Sequence, residues 1–199
     1  MIISIDELYL KYKNYKNPKD KIYREINDNQ TYIKVCRGIY ETNKNVERHL
    51  LAPIIESDSY LSFEYALAYY GLIPERVYVY TSATALKKHN RKVKNYFGTY
   101  TYTDVPLDVW RFGIERIEDG DYVYLIACKE KALCDTLYKK PAVDSLIELK
   151  QLLFEDMRID VDEFYELNFE DIISICDLYK KKNLKLLKKM LEKEIKNDK

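Results

Sequence analysis

Tyr60–Thr84 reads YLSFEYALAYYGLIPERVYVYTSAT, and three signals sit inside it. Ser62 is placed to cap a helix whose apolar residues Phe63, Ala66, Leu67 and Tyr70 fall at i, i+3, i+4 and i+7. Gly71 followed by Pro74 is a helix stop. From Arg76 to Thr81, Val77 and Val79 alternate with Tyr78 and Tyr80, the period of a half-buried strand. A helix, a stop and a strand in close succession belong to a globular domain that mixes both element types.

Working towards the N-terminus, Val46–Ile55 reads as a helix ending in a serine-rich turn, Ser57–Ser59. Tyr32, Ile33 and Val35, then Ile39 and Tyr40, flank Arg37-Gly38 as a short hairpin. Before it, Asn17-Pro18 starts a helix anchored by Ile22 and Ile26 and ending near Asp28-Asn29. Ser4 with Glu7 forms a capping box ahead of the stripe Ile5, Leu8, Tyr9 and Tyr12. Towards the C-terminus come a basic loop, Leu86–Lys94, and an alternating run, Tyr96–Thr103. Phe112–Ile117 and Tyr122–Ala127 pair as strands around Glu118-Asp119-Gly120. Lys129–Tyr138 is helical, and from Pro141 the chain is helical and lacks glycine. Ser145 with Glu148, Asn168 and Asn183 are expected caps there. The order gives an α+β fold with a mainly antiparallel sheet and a helical C-terminal tail. Residues 1–45 form a short module, 46–199 a larger domain, with the tail from 141.

Composition narrows the class of protein. The 199 residues are 47% apolar, enough for a core, and 33 basic side chains balance 33 acidic ones, so overall charge selects no partner. Its distribution is less even: Lys11–Arg37 and Leu86–Gly98 are basic, Ala142–Asp177 is acidic, and the end is basic again. Such runs mark different surfaces or ordinary clumping of surface charge. The 20 tyrosines against 6 phenylalanines fit the codon bias of an AT-rich genome, and equally suit binding surfaces. Cys36, Cys128, Cys134 and Cys176 form no C-x-x-C pair and read as reduced and buried. The N-terminus lacks the apolar run of a signal peptide, and no stretch is long enough to span a membrane; the expected location is the cytoplasm.

Most catalytic chemistry lacks its parts. His49 and His89 are far in sequence from every cysteine, the five glycines are too dispersed for a phosphate loop, and no metal-ligand spacing occurs. Glu118, Asp119 and Asp121 with Lys129-Glu130-Lys131 have the residue types of a metal-dependent nuclease, but no acid-x-Lys triplet lies on an expected strand. The chain is expected to use no metal or cofactor and not to be an enzyme. The N-terminal module offers a binding mechanism instead. A helix leading into a hairpin is the second half of a winged helix, which places the helix in a major groove and the hairpin on phosphate. Lys16, Asn17, Lys19 and Arg24 lie on or before that helix, and Lys34 and Arg37 on the hairpin. These types suit phosphate and base-edge contacts, and equally a solvated helix face.

RGIY (Arg37–Tyr40), the Tyr60–Thr84 stretch, FGTYTY (Phe97–Tyr102), LIACKEKALCDTLY (Leu125–Tyr138) and FEDMRID (Phe154–Asp160) together resemble the AbiEi antitoxins of abortive-infection toxin–antitoxin systems. The resemblance spans most of the chain. It implies an N-terminal winged helix-turn-helix that binds inverted repeats in its own promoter, and a larger domain that confers antitoxicity against a nucleotidyltransferase-like toxin. Within the KEKALCD segment, Lys129, Glu130 and Asp135 would form an antitoxic surface or merely decorate a helix. The chain departs from the family in one respect. Only about 30 residues precede the hairpin, room for two helices rather than three at roughly 1.5 Å per residue, so the DNA-binding module is expected to be reduced. Two alternatives remain at this point: an antitoxin that masks its toxin by protein contact with little DNA binding, and a nuclease-like enzyme.

Overall fold

A computed structural model describes residues 1–87 and 90–197. The N-terminal module opens with a strand that the sequence pattern does not announce, β1 (Ile2–Ser4). Ser4 then caps α1 (Ile5–Tyr12) through a complete capping box with Glu7. Asn17 caps α2 (Pro18–Asn27), accepting from the Asp20 amide, with Pro18 in the first turn as expected. The hairpin β2 (Ile33–Cys36) and β3 (Ile39–Glu41) follows, turning on Gly38 at φ +75°. The sheet order is β1-β3-β2, all antiparallel. Ile3, Leu8, Tyr12, Ile22 and Tyr32 close a small core of their own beneath it.

The expected helix over 46–55 is shorter and later: a 3-10 turn, Arg48–Leu51, runs into α3 (Ala52–Ile55). A two-residue strand, β4 (Tyr60–Leu61), precedes α4 (Phe63–Tyr69). Gly71 at φ +78° ends α4 in a Schellman motif, in which Leu72 N–H donates to Leu67 O and Gly71 N–H to Ala68 O. β5 (Val79–Thr84) starts three residues later than the alternation suggests. The expected basic loop is in part a strand, β6 (Arg91–Asn95); Lys88 and His89 lie outside the described residues. β7 (Gly98–Asp104), β8 (Ile114–Asp119) and β9 (Tyr122–Ala127) complete a six-stranded sheet of order β6-β7-β5-β4-β9-β8. The α+β class stands, and the large sheet is mixed: β5/β7 and β4/β9 are parallel, the other pairs antiparallel.

The helical remainder is α5 (Lys129–Lys139), α6 (Leu146–Gln151) with a π turn over Leu152–Asp156, α7 (Val161–Tyr165), α8 (Phe169–Cys176) and α9 (Lys182–Asn197). α5 packs against α4 on one side and α8 and α9 on the other. Every residue from Lys131 to Leu137 is buried, polar Lys131, Asp135 and Thr136 included, so the helix has no solvent face along most of its length. Asn183 does not cap α9, which begins at Lys182. Its buried amide instead donates to Leu137 O and Pro141 O and accepts from Val143 N–H, tying down the chain that leaves α5. Fully burying a Leu or Phe is worth roughly 1.5–3 kcal/mol, so this interior, with Phe63, Leu133, Leu137 and Phe164 all at 1% exposure or less, dominates the stability.

The module and the larger domain are joined by Val35, which enters the main core with Ile2, Ile33 and Ile39 packed beside it, and by polar contacts. Glu41 is the hub, taking the Met1 ammonium at 2.5 Å, the Tyr122 hydroxyl at 2.5 Å and the amides of Thr42 and Asn43. Asn95 Nδ2 donates to Val35 O at 2.9 Å, which sets β6 beside β2.

Candidate functional site

Two groups of residues follow from the sequence, and they have different fates. The first, in the N-terminal module, is on the surface. Lys16, Asn17, Lys19, Arg24, Lys34 and Arg37 are all exposed. Ile22 and Glu25 face the small core, which turns Tyr23, 64% exposed, and Arg24 outwards, with Lys19 alongside. Asn17 already spends its side chain on the helix start: Oδ1 accepts from the Asp20 amide and Nδ2 donates to the Asp20 carboxylate. Arg37 stands at the hairpin tip, whose carbonyl at Gly38 accepts from Ile5 N–H at 2.8 Å and so fixes the tip against the start of α1. Glu25 is held by Lys21 at 2.5 Å and by Thr31 at 2.8 Å, and these bonds lower its pKa to about 2.

The structure extends this surface in a way the sequence cannot. Since β6 lies beside β2, exposed Lys92 and Lys94 from the second basic segment come to the same edge as Lys34. Exposed Tyr96 lines a cleft there with Ile26, Gln30 and Lys34. Two basic runs separated by some fifty residues of sequence thereby adjoin one another.

The second group is the KEKALCD segment, and its reading as a surface requires correction. Asp135 is fully buried, because α5 is enclosed between α4, the sheet and α8. Lys129 and Glu130 are half-buried and serve as tethers: Lys129 pairs with Glu163 at 3.1 Å, and Glu130 accepts from the Asn168 amide at 3.1 Å. Lys131, which the sequence offered only as part of a nuclease-like cluster, is also fully buried, and its pairing with Asp135 is new in the structure. Its ammonium donates to Asp135 Oδ1 at 2.6 Å, Tyr60 Oη at 2.8 Å and Tyr179 Oη at 2.6 Å. Asp135 takes Ser62 Oγ at 2.7 Å and Tyr60 Oη at 2.9 Å on Oδ2, and Tyr179 on Oδ1. Every ammonium proton and both carboxylate oxygens are thus satisfied, as a buried ion pair needs. Burial, and then Asp135, push both tyrosine hydroxyls well above their ordinary pKa, so they remain protonated donors. The i, i+4 spacing of Lys131 and Asp135 was present in the sequence, but Lys129, Glu130 and Lys139 on the same helix gave no sign that this pair is the buried one.

This network also takes the cap of α4. Ser62 occupies the N-cap position but makes no cap bond, because its hydroxyl is turned to Asp135. Thr81 of β5 substitutes, accepting from Tyr65 N–H at 3.1 Å while donating to Ser62 O at 2.6 Å. Phe63 enters the helix at φ +57°, a conformation costing on the order of 1–3 kcal/mol for a bulky residue. Its ring is fully buried, with the Lys139 ammonium 4.3 Å from the ring centroid.

No protein-family model matches this chain, and no curated protein matches it. Its chemistry therefore rests on the geometry. Among the described residues no group of three His, Cys, Asp or Glu side chains is arranged to hold a metal ion. No helix among them is long and apolar enough to cross a membrane. The thiols are unpaired, and burial pushes Cys128 up to about 11.

Proposed function

We propose that the chain is an AbiEi-like antitoxin of an abortive-infection toxin–antitoxin system, which neutralises a nucleotidyltransferase-like toxin and represses its own operon by binding inverted repeats in the promoter. The observation that carries the DNA-binding part is the N-terminal module itself. A helix pair and a hairpin close over their own small core and leave Lys16, Lys19, Arg24, Lys34 and Arg37 exposed. The arrangement β1-α1-α2-β2-β3 is that of a winged helix short of its first helix. In this reading α2 enters the major groove, with Arg24 and Tyr23 towards the bases, and the hairpin lays Lys34 and Arg37 on phosphate. Lys92 and Lys94 prolong the phosphate track onto the larger domain. The antitoxic part rests on the resemblance of the Tyr60–Thr84 and Leu125–Tyr138 segments, which the fold uses as the scaffold around the Lys131–Asp135 pair.

Binding of the full chain to duplex DNA from upstream of its own gene, measured at several salt concentrations, tests the regulatory role. Each phosphate contact removed by Arg37→Ala or Lys34→Ala should lessen the slope of log K against log salt by about 0.9. Absence of binding, or binding indifferent to salt, would end the repressor reading. Growth rescue on co-expression with the adjacent gene product tests antitoxicity separately.

A further inference from the structure

The acidic and basic runs of the helical tail have no part in the DNA-binding reading. Residues 142–177 carry eleven acidic side chains against Lys150 and Arg158, and residues 180–189 carry six lysines and no acid. Some of these charges pair within the chain, Lys182 with Asp144 and Lys188 with Asp177. Asp162, Glu166 and Glu170 on one side, and Lys180, Lys185 and Lys189 on the other, are exposed and form no ion pair among the described residues.

Each set surrounds a different shape. On α7, Val161 and Tyr165 lie one turn apart and are 49% and 50% exposed, with Asp162 and Glu166 next to them. The Tyr165 ring rests against Phe164 at 5.5 Å and Phe169 at 6.1 Å, which holds it beside Glu170 at the start of α8. This is an apolar knob rimmed by acid. At the other end of α8 a groove of about 360 Å³ opens against α9. Buried Cys176, Tyr179 and Leu184 line it, and Lys180, Lys185 and Lys189 stand around it. Lys188 is held there by Asp177, and Glu192 is the remaining acid. The groove is thus apolar within and mainly basic at its rim.

From these together we infer that two copies of the chain associate about a two-fold axis, the Val161–Tyr165 knob of each seated in the α8–α9 groove of the other, with Glu166 and Glu170 against Lys185 and Lys189. From Glu170 to Asp177 is roughly 10 Å along α8, at about 1.5 Å per residue. Ser174, small and exposed, lies midway on the same stripe, i+4 from Glu170 and i−3 from Asp177. An axis crossing α8 there sets the start of one α8 over the end of the other, so both contacts form at once and the interface is self-complementary. A nucleic acid or an acidic protein would use the lysines and give the knob no role, and a basic partner would do the reverse. A second copy serves both surfaces. The aromatic anchor supplies affinity and the surrounding charges fix register. The inference does not rest on the DNA-binding reading.

The test is sedimentation velocity of the full chain without DNA, over a range of protein concentrations. Salt is raised from about 0.1 M to about 1 M, across which the screening length falls from about 10 Å to about 3 Å. A reversible dimer, twice the 23.8 kDa of one chain, is expected, with a dissociation constant that rises with salt. Tyr165→Ala should raise that constant roughly thirty-fold, as loss of a central aromatic anchor does. Lys185→Glu/Lys189→Glu sets acid against acid, and Glu166→Lys/Glu170→Lys sets base against base, so each alone should stay monomeric. An equimolar mixture of the two should restore the dimer, because both contacts then join opposite charges. If a swap lowers the melting temperature, Lys185→Ala/Lys189→Ala replaces it and should raise the dissociation constant by less. Four results would overturn the proposal: a monomer throughout, a dimer indifferent to Tyr165→Ala and to the swaps, a mixture that stays monomeric, or species that grow past the dimer with concentration, the mark of head-to-tail contact. Since no DNA is present, the promoter reading and this one can fail separately.

Discussion

Lys131 Nζ donates to Asp135 Oδ1 at 2.6 Å, one helical turn along α5, and neither side chain is exposed. In water such an i, i+4 pair adds only about 0.3–0.5 kcal/mol. Here it ties α5 to three other places, because Tyr60 lies in β4, Ser62 at the start of α4 and Tyr179 just after α8, and all reach the same two groups. Losing one partner leaves a buried charge without compensation. Asp135→Ala is expected to destabilise the protein by about 3–5 kcal/mol, read from urea unfolding. The double variant Lys131→Met/Asp135→Leu should fall short of the summed single effects by about 1–3 kcal/mol. Additive losses would mean that the two groups do not act as a pair.

Gly113 enters β8 at φ +60°, and a Cβ there would stand 2.9 Å from both Cys128 Sγ and Lys131 Cβ. This backbone thus packs directly against the stem of Lys131. Gly113→Ala combines overpacking with backbone strain and should cost about 2–4 kcal/mol. Gly120→Ala makes a control, since its φ is also positive but its added Cβ meets nothing within 4 Å. A similar loss at both positions would count against the packing argument.

Acid sensitivity should begin in the N-terminal module. Folded Glu25 has its pKa lowered from 4.5 to about 2, chiefly by its hydrogen bonds to Lys21 and Thr31. A carboxylate held low in the folded state stabilises fully above its unfolded pKa, and that contribution is lost as pH falls from about 4.5 through 2. Glu25→Gln should flatten this part of the stability–pH curve and leave the region above pH 6 parallel to the parent. Thermal melts across the acid range decide it; an unchanged acid limb refutes the assignment.

Asn183 holds Leu137 O, Pro141 O and Val143 N–H at once. Asn183→Ala strands these buried groups and is expected to cost about 1–3 kcal/mol. Asn183→Asp keeps the acceptor for Val143 but loses both donors, so it should recover little. Hydrogen exchange should rise first at residues 140–143; faster exchange confined to the far end of α9 would contradict this account.

The fate of individual residues shows how far the chain could be read unaided. The capping box at Ser4 and Glu7, Asn17-Pro18, the Gly38 and Gly120 turns and the Gly71 stop all work as local chemistry requires, because each depends on neighbours within a few residues. Ser62 was equally well placed as a cap and does not serve as one, because Asp135, 73 residues away, takes its hydroxyl. Asn183 was misread for the same reason. β1, β4 and β6 are too short or too polar to show a period of two; each exists because a partner strand lies alongside.

The α+β class, the helical tail and the exposure of Lys16, Lys19, Arg24, Lys34 and Arg37 could be read from the sequence, since they follow from periodicity, caps and hydrophilicity. Tertiary structure alone decided that Asp135 lies inside with Lys131, that Lys92 and Lys94 adjoin Lys34, and that Tyr69 and Arg76 line one groove. These are relations between segments distant along the chain. Burial and the pairing of polar groups settle them only once the sheet order has brought those segments together.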